Sequence, residues 1–132
     1  MKLDEKQQLL TLLCGMLPHG IKVKYRFSDI DLELVGIVHS EHGGYMAVLR
    51  PEPSKGNRYP MTSNVNIEYV KPYLRPMSSM KAEEKDVYDG IRSGIVKKIM
   101  ARKINYLSKI RVDYMDMIGA GIAIEAPAGM YD

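Results

Sequence analysis

The stretch "IKVKYRF" at residues 21–27 limits the possible folds of this chain more than any other. Ile21, Val23, Tyr25 and Phe27 alternate with Lys22, Lys24 and Arg26, and residues two apart share one face of a strand. On a helix the same charges would be scattered around the axis. The pattern therefore predicts a strand with one buried and one wet face, as antiparallel sheets have.

The sequence that follows repeats the theme. "FSDID" predicts a turn and "LELVGIV" a second strand, in which Gly36 marks a bulge or a close backbone approach. Gly43 and Gly44 in "HSEHGGY" supply a tight turn into a third strand, "YMAVLR". After the loop "PEPSKGN", "RYPMT" reads as a short fourth strand and "VNIEYV" as a fifth. Before the strands, Leu9, Leu10, Leu12, Leu13, Met16 and Leu17 recur at helical spacing, and Pro18 and Gly20 end a helix of residues 4–16.

"YVKPYLRPMSSM" at residues 69–80 breaks both patterns. Pro72 and Pro76 lack backbone donors and push Lys71 and Arg75 away from helical angles, which predicts a connector and excludes a central strand. Ser79 is placed to cap a helix whose first turns hold Glu83, Glu84 and Asp86. Helical sequence runs from Met80 to Asp89, pauses at Gly90 and Gly94, and resumes from Ile95 to Ile110. Asp113 and Asp116 suggest a further short helix, and Ile122 and Ile124 a tail docked on the core.

The expected fold is α+β in a single domain, 1–132. It has an N-terminal helix (1–17), then a small five-stranded antiparallel curled sheet or SH3/Sm-like, partly open barrel (20–71). A connector (72–80) leads to a helical half with its docked tail (81–132). A length of 132 residues with 45% hydrophobic composition suffices for one ordinary core.

Charge is distributed unevenly. Residues 91–111 hold seven basic side chains and no acid, while the whole chain carries only +3, so the remainder is net acidic. On a helical wheel Ile95, Val96, Ile99, Met100, Ile104, Leu107 and Ile110 fill one half. Lys97, Lys98, Arg102 and Lys109 lie opposite. Such a face can neutralise phosphates, with Tyr106 and Asn105 near enough to add a stack or a hydrogen bond. The bland alternative is a solvated face.

No pattern calls for catalysis, a cofactor or a metal. His39 and His42 flank a turn without the further ligands zinc needs, and read as a solvated hairpin tip. Cys14, the only cysteine, lies among leucines and reads as a small buried hydrophobe. It excludes an intramolecular disulfide, and with an N-terminus carrying Asp4 and Glu5 it points to the cytoplasm. No run is apolar enough for a membrane span. Ser78 and Ser79 lack a nucleophile elbow and a neighbouring base, and "PEPSKGNR" lacks the phosphate-loop spacing.

Three blocks resemble a family of uncharacterised proteins encoded by phages and mobile elements of gut Bacteroides. They are "LCGMLPHGIKV", "VKPYLRPMSSM" and "DYMDMIGAGIAIEAPAGMY", in that order, over roughly a third of the chain. The family usually follows the central block with a threonine, where this chain has Lys81. The resemblance implies a mobile-element origin and brings no activity, substrate or site residue. The favoured expectation is a non-catalytic interaction or accessory protein with a protein partner. The second is a nucleic-acid-binding module that uses the basic helix and the strand face of Lys22, Lys24 and Arg26. A small enzyme ranks third. If the central block contacts a partner, Arg75 and Tyr73 are its candidate residues.

Overall fold

The structure, a computed structural model, describes residues 3–41, 44–51, 61–91 and 96–131, with only the backbone of Val96 and Lys97. Gly43, most of "PEPSKGN", residues 58–60 of the expected fourth strand, and Ile95 lie outside the described residues. The chain is α+β, and its residues group into two compact units, Met1–Tyr73 and Leu74–Asp132.

In the first unit α1 spans Leu3–Met16, with Asp4 and Glu5 at the positive end of its dipole. Leu9, Leu12, Leu13 and Met16 are fully buried. Truncating one of these leucines to alanine should cost about 2–5 kcal/mol. A 3₁₀ turn at Leu17–His19 follows, and Gly20, at φ 76°, takes the left-handed angle that ends it. Cys14 faces outward and is exposed, which corrects the buried reading. The helix puts its neighbours Leu12 and Leu13 on the inner stripe and Cys14 past its edge.

The strands are β1 (Ile21–Tyr25), β2 (Leu32–His39), β3 (Tyr45–Pro51), β4 (Ser63–Asn66) and β5 (Val70–Leu74). Their ladders are antiparallel. Ile21 and Val23, Leu34, Ala47 and Leu49, Val65 and Val70 are buried and share the core with the α1 stripe. The register of β2 against β3 slips between Leu34 and Gly36, so this is a bulge. A Cβ on Gly36 would lie an ordinary 3.6 Å from Val48, so close approach is not the reason for the glycine.

Two expectations fail around the fifth strand. "VNIEYV" is not continuous: Val65 and Asn66 end β4, Ile67–Tyr69 form a 3₁₀ turn, and Val70 begins β5. The Asn66 side chain accepts from the Glu68 amide at 2.9 Å and so caps that turn. Residues 72–74, read as connector, belong to a strand flanked on both sides, in the sheet order β4-β3-β2-β1-β5-β6. The Arg26 amide donates to the Tyr69 carbonyl at 2.9 Å, so the hydrogen-bonded pairs of this ladder are 26/69 and Lys24/Lys71. Val23/Pro72 then falls at a non-hydrogen-bonded position. The proline nitrogen points away from β1, and its missing N–H removes no bond to that strand.

The sheet has six strands and is not closed, which corrects the five-stranded, barrel-like expectation. β6 (Ile124–Glu125) comes from the tail, where the Ala126 amide donates to the Leu74 carbonyl at 2.8 Å. A parallel bridge joins Arg75 to Val112, so the pairing is mixed.

In the second unit α2 spans Ala82–Gly90 and α3 spans Val96–Lys109. Ser79 does not cap α2; it lies in a 3₁₀ turn, and its hydroxyl donates to the Pro76 carbonyl. The cap position is Lys81, whose amide donates to Glu84 Oε1 at 2.8 Å. Helix α3 ends in a Schellman arrangement. The Val112 amide donates to Leu107 O and the Arg111 amide to Ser108 O, with Arg111 at φ 60°. Residues 114–119 form turns and no helix, and the Asp113 carboxylate accepts from the amides of Met117 and Ile118, four and five residues on, beyond the reach of a cap. Leu74, Leu107, Val112, Met117, Ile122 and Ala123 are the buried apolar side chains among this unit's described residues. They gather at the C-terminal end of α3. The apolar half of α3 is thus only partly covered, with Met100 55% and Ile104 37% exposed.

Candidate functional site

Helix α3 carries the expected basic stripe. Lys98, Arg102, Asn105 and Lys109 are spaced i, i+4, i+7 and i+11, within roughly 60° of one another on the helix, and all four are exposed. At about 1.5 Å per residue, Lys98 and Arg102 are roughly 6 Å apart along the axis and Lys109 lies about 10 Å further. The side chain of Lys97 lies outside the described residues. Lys103 is set apart from the stripe, its ammonium 4.7 Å from the centre of the Tyr88 ring of α2. Arg111 likewise sits 4.7 Å over the ring of Tyr131.

Tyr106 is half-buried beside α3's inner edge. Burial raises its phenol above the ordinary range, Glu84 adds to the rise and Arg75 opposes it. Its electrostatic neighbours are thus Glu84 and Arg75. Arg75 is the centre of that pair: its Nη2 donates to Glu84 Oε1 at 2.6 Å and its Nη1 to Oε2 at 2.8 Å. It also donates to the carbonyls of Ser79 and Ile110. Arg75 is a strut. Tyr73, in the first unit, is 8% exposed, and its hydroxyl donates to Asp31 Oδ1 at 2.6 Å. Both residues singled out in the central block are therefore committed to internal bonds.

Two concavities accompany these surfaces. One of about 500 Å³ lies between α1 and the β3–β4 end of the first unit, crossed by the ion pair of Lys6 and Glu68. The other, about 330 Å³, is lined by Arg75, Pro76 and Ser79 with residues 125–131. Residues of the connector and of the C-terminal tail meet there. Among the described residues no group of three or more histidine, cysteine or acidic side chains could hold a metal. His39 is exposed and its ring meets Tyr45 edge to face, while His42 lies outside the described residues. No described helix is long and apolar enough to cross a membrane.

One cluster has no counterpart in the sequence pattern. Phe27 is 68% and Tyr69 37% exposed, their centroids are 5.5 Å apart, and the Arg26 guanidinium lies within 6 Å of both rings. The alternation puts Phe27 on the buried face of β1, but the strand ends at Tyr25 and the chain turns there, with the Ser28 amide donating to Tyr25 O. The "SD" pair just after Phe27 was the available signal for that early turn. Compared with known proteins, the chain matches no family model, no curated protein and no solved structure.

Proposed function

We propose that this protein is a small non-catalytic accessory module that binds nucleic acid through the basic stripe of α3. The observation that carries the reading is the alignment of Lys98, Arg102, Asn105 and Lys109 on one exposed face of a helix without an acidic residue. Cations so spaced neutralise successive backbone phosphates and release counterions, giving affinity with little sequence preference. The resemblance to phage and mobile-element proteins supports an accessory role, and a single cysteine suits a cytoplasmic setting.

The test is a titration of labelled duplex and single-stranded DNA at low salt. Binding should weaken steeply with salt, and glutamate at positions 98, 102 and 109 together should lower affinity and flatten the log–log slope by roughly 2–3. Absence of binding to any nucleic acid at low salt, or unchanged binding by the triple variant, sinks the proposal.

A protein-binding reading draws on a different observation. Val87 is 50%, Met100 55% and Ile104 37% exposed on two helices that pack together. Single apolar residues at a surface are ordinary, but Met100 and Ile104 stand one turn apart on the same side of α3. Concentration-dependent sedimentation of the wild type, abolished by Met100→Glu, would support self-association through it.

A further inference from the structure

We infer that the corner of the first unit where β1 ends and β5 begins is a stacking platform for single-stranded nucleic acid. It stands on the geometry of that unit alone and does not depend on α3.

The platform has two parts, one aromatic and one cationic. Tyr25, Phe27 and Tyr69 form an edge-to-face series with centroid separations of 5.4 and 5.5 Å. Burying such rings is the usual outcome, yet Phe27 keeps 68% of its surface in contact with solvent. Arg26 lies 5.6 Å from the centre of one exposed ring and 5.8 Å from the other. A flat guanidinium beside flat rings offers a base several faces to stack on, which every nucleobase can use.

The cationic part lies one step along the same ladder. Lys24 and Lys71 are directly paired across β1 and β5, and both are exposed. Like charges at directly opposed positions destabilise a sheet, and a phosphate between them turns that repulsion into attraction. Nearby acids are largely engaged elsewhere: Glu33 with Arg50, Asp31 with Tyr73 and Glu68 with Lys6. Asp29 stays exposed on the turn after Phe27. Arg26, the first residue past β1, bonds the Tyr69 carbonyl through its amide and holds its guanidinium near both rings, so a third cation joins the paired lysines at this corner. Charge alone would suit any polyanion. The exposed rings select one that carries unpaired bases, which duplex DNA does not present.

The test uses the full chain with labelled oligothymidylate and oligouridylate of about a dozen nucleotides, within the span such surfaces cover. Inorganic polyphosphate serves as a probe with charge but no bases. Both oligomers should bind and quench tyrosine fluorescence. Phe27→Ala should weaken oligomer binding about tenfold or more and leave polyphosphate unchanged, Tyr69→Ala should act likewise, and Tyr69→Phe should bind as the wild type does. Phe27 is so exposed that its alanine variant should keep the wild-type melting temperature, which separates lost stacking from lost folding. Oligomer affinity equal in wild type and the Phe27→Ala, Tyr69→Ala double variant overturns the inference. So does equal loss of polyphosphate binding. If only the α3 triple variant loses the oligomers, the platform fails and the α3 reading stands. If only the ring variants lose them, the reverse holds.

Discussion

Glu84 is gripped by both terminal nitrogens of Arg75, at 2.6 and 2.8 Å, while the same carboxylate accepts the Lys81 amide at the start of α2. One acid thus ties the residue after β5 to a helix N-terminus. The Arg75 hydrogen bonds hold the Glu84 carboxyl down to about 2, against the opposing effect of burial. Because the folded pKa lies below the unfolded one, the stabilisation is complete above about pH 4.5. It is lost as pH falls toward 2. With both side chains partly open to solvent, we expect it to be about 2 kcal/mol. Glu84→Gln should flatten the fall in melting temperature between pH 5 and 2, and Arg75→Ala should cost about 2–4 kcal/mol at neutral pH. An acid limb identical in wild type and Glu84→Gln would refute the assignment.

Tyr73 has the opposite pH signature. Burial and, next, the hydrogen bond it donates to Asp31 push its phenol up to about 12. A raised folded pKa means that the stabilisation is present below the ordinary value near 10 and is lost as pH climbs through 12. Tyr73→Phe should cost about 1–2 kcal/mol at neutral pH through loss of this hydrogen bond to a charged acceptor, and the cost should shrink above pH 10. In a phenolate absorbance titration, the latest-ionising tyrosine of the wild type should vanish in the variant.

Arg111 occupies the left-handed position that ends α3, where glycine is the usual residue. That backbone costs a side-chain-bearing residue about 1–2 kcal/mol, offset in part by the guanidinium lying over Tyr131. Arg111→Gly should therefore leave stability within about 1 kcal/mol of wild type. Arg111→Val, β-branched and without the ring contact, should lose about 2 kcal/mol or more. Equal chemical denaturation midpoints for the two variants would show that the left-handed angle is not what matters.

Local patterns in the sequence identified most of the elements, and non-local geometry accounts for the rest. The leucine spacing locates α1 to within a residue and the alternation from Ile21 locates the start of β1, because each depends only on which face is buried, while β1 ends two residues before the pattern does. Pro72 misled because a proline forbids only the bond its own nitrogen would make. Which neighbour that nitrogen faces is set by the 24/71 register and cannot be read from residues 69–80 alone. β6 was hidden for a similar reason: two residues of tail pair with Leu74, some fifty positions earlier in the chain. Of the candidate site, the α3 stripe followed directly from helical period. The Phe27 cluster did not, since the alternation that placed Phe27 inside stops two residues before it.

Gly119 is held by a neighbour and not by its own backbone angle. A Cβ there would come 2.7 and 3.0 Å from the carboxylate oxygens of Asp116, a residue itself in the left-handed region at φ 52°. The Ala120 amide donates to the Asp116 carbonyl and holds that backbone, so the exposed carboxylate must swing off its rotamer toward solvent to admit a Cβ. Gly119→Ala should cost about 0.5–1.5 kcal/mol. Asp116→Gly removes both the obstructing carboxylate and the left-handed penalty, so the double variant should regain most of that loss. Asp116→Asn preserves the size of the side chain and should not rescue. Thermal melts of the four chains decide the matter, and a double variant no more stable than Gly119→Ala alone would place the cause elsewhere.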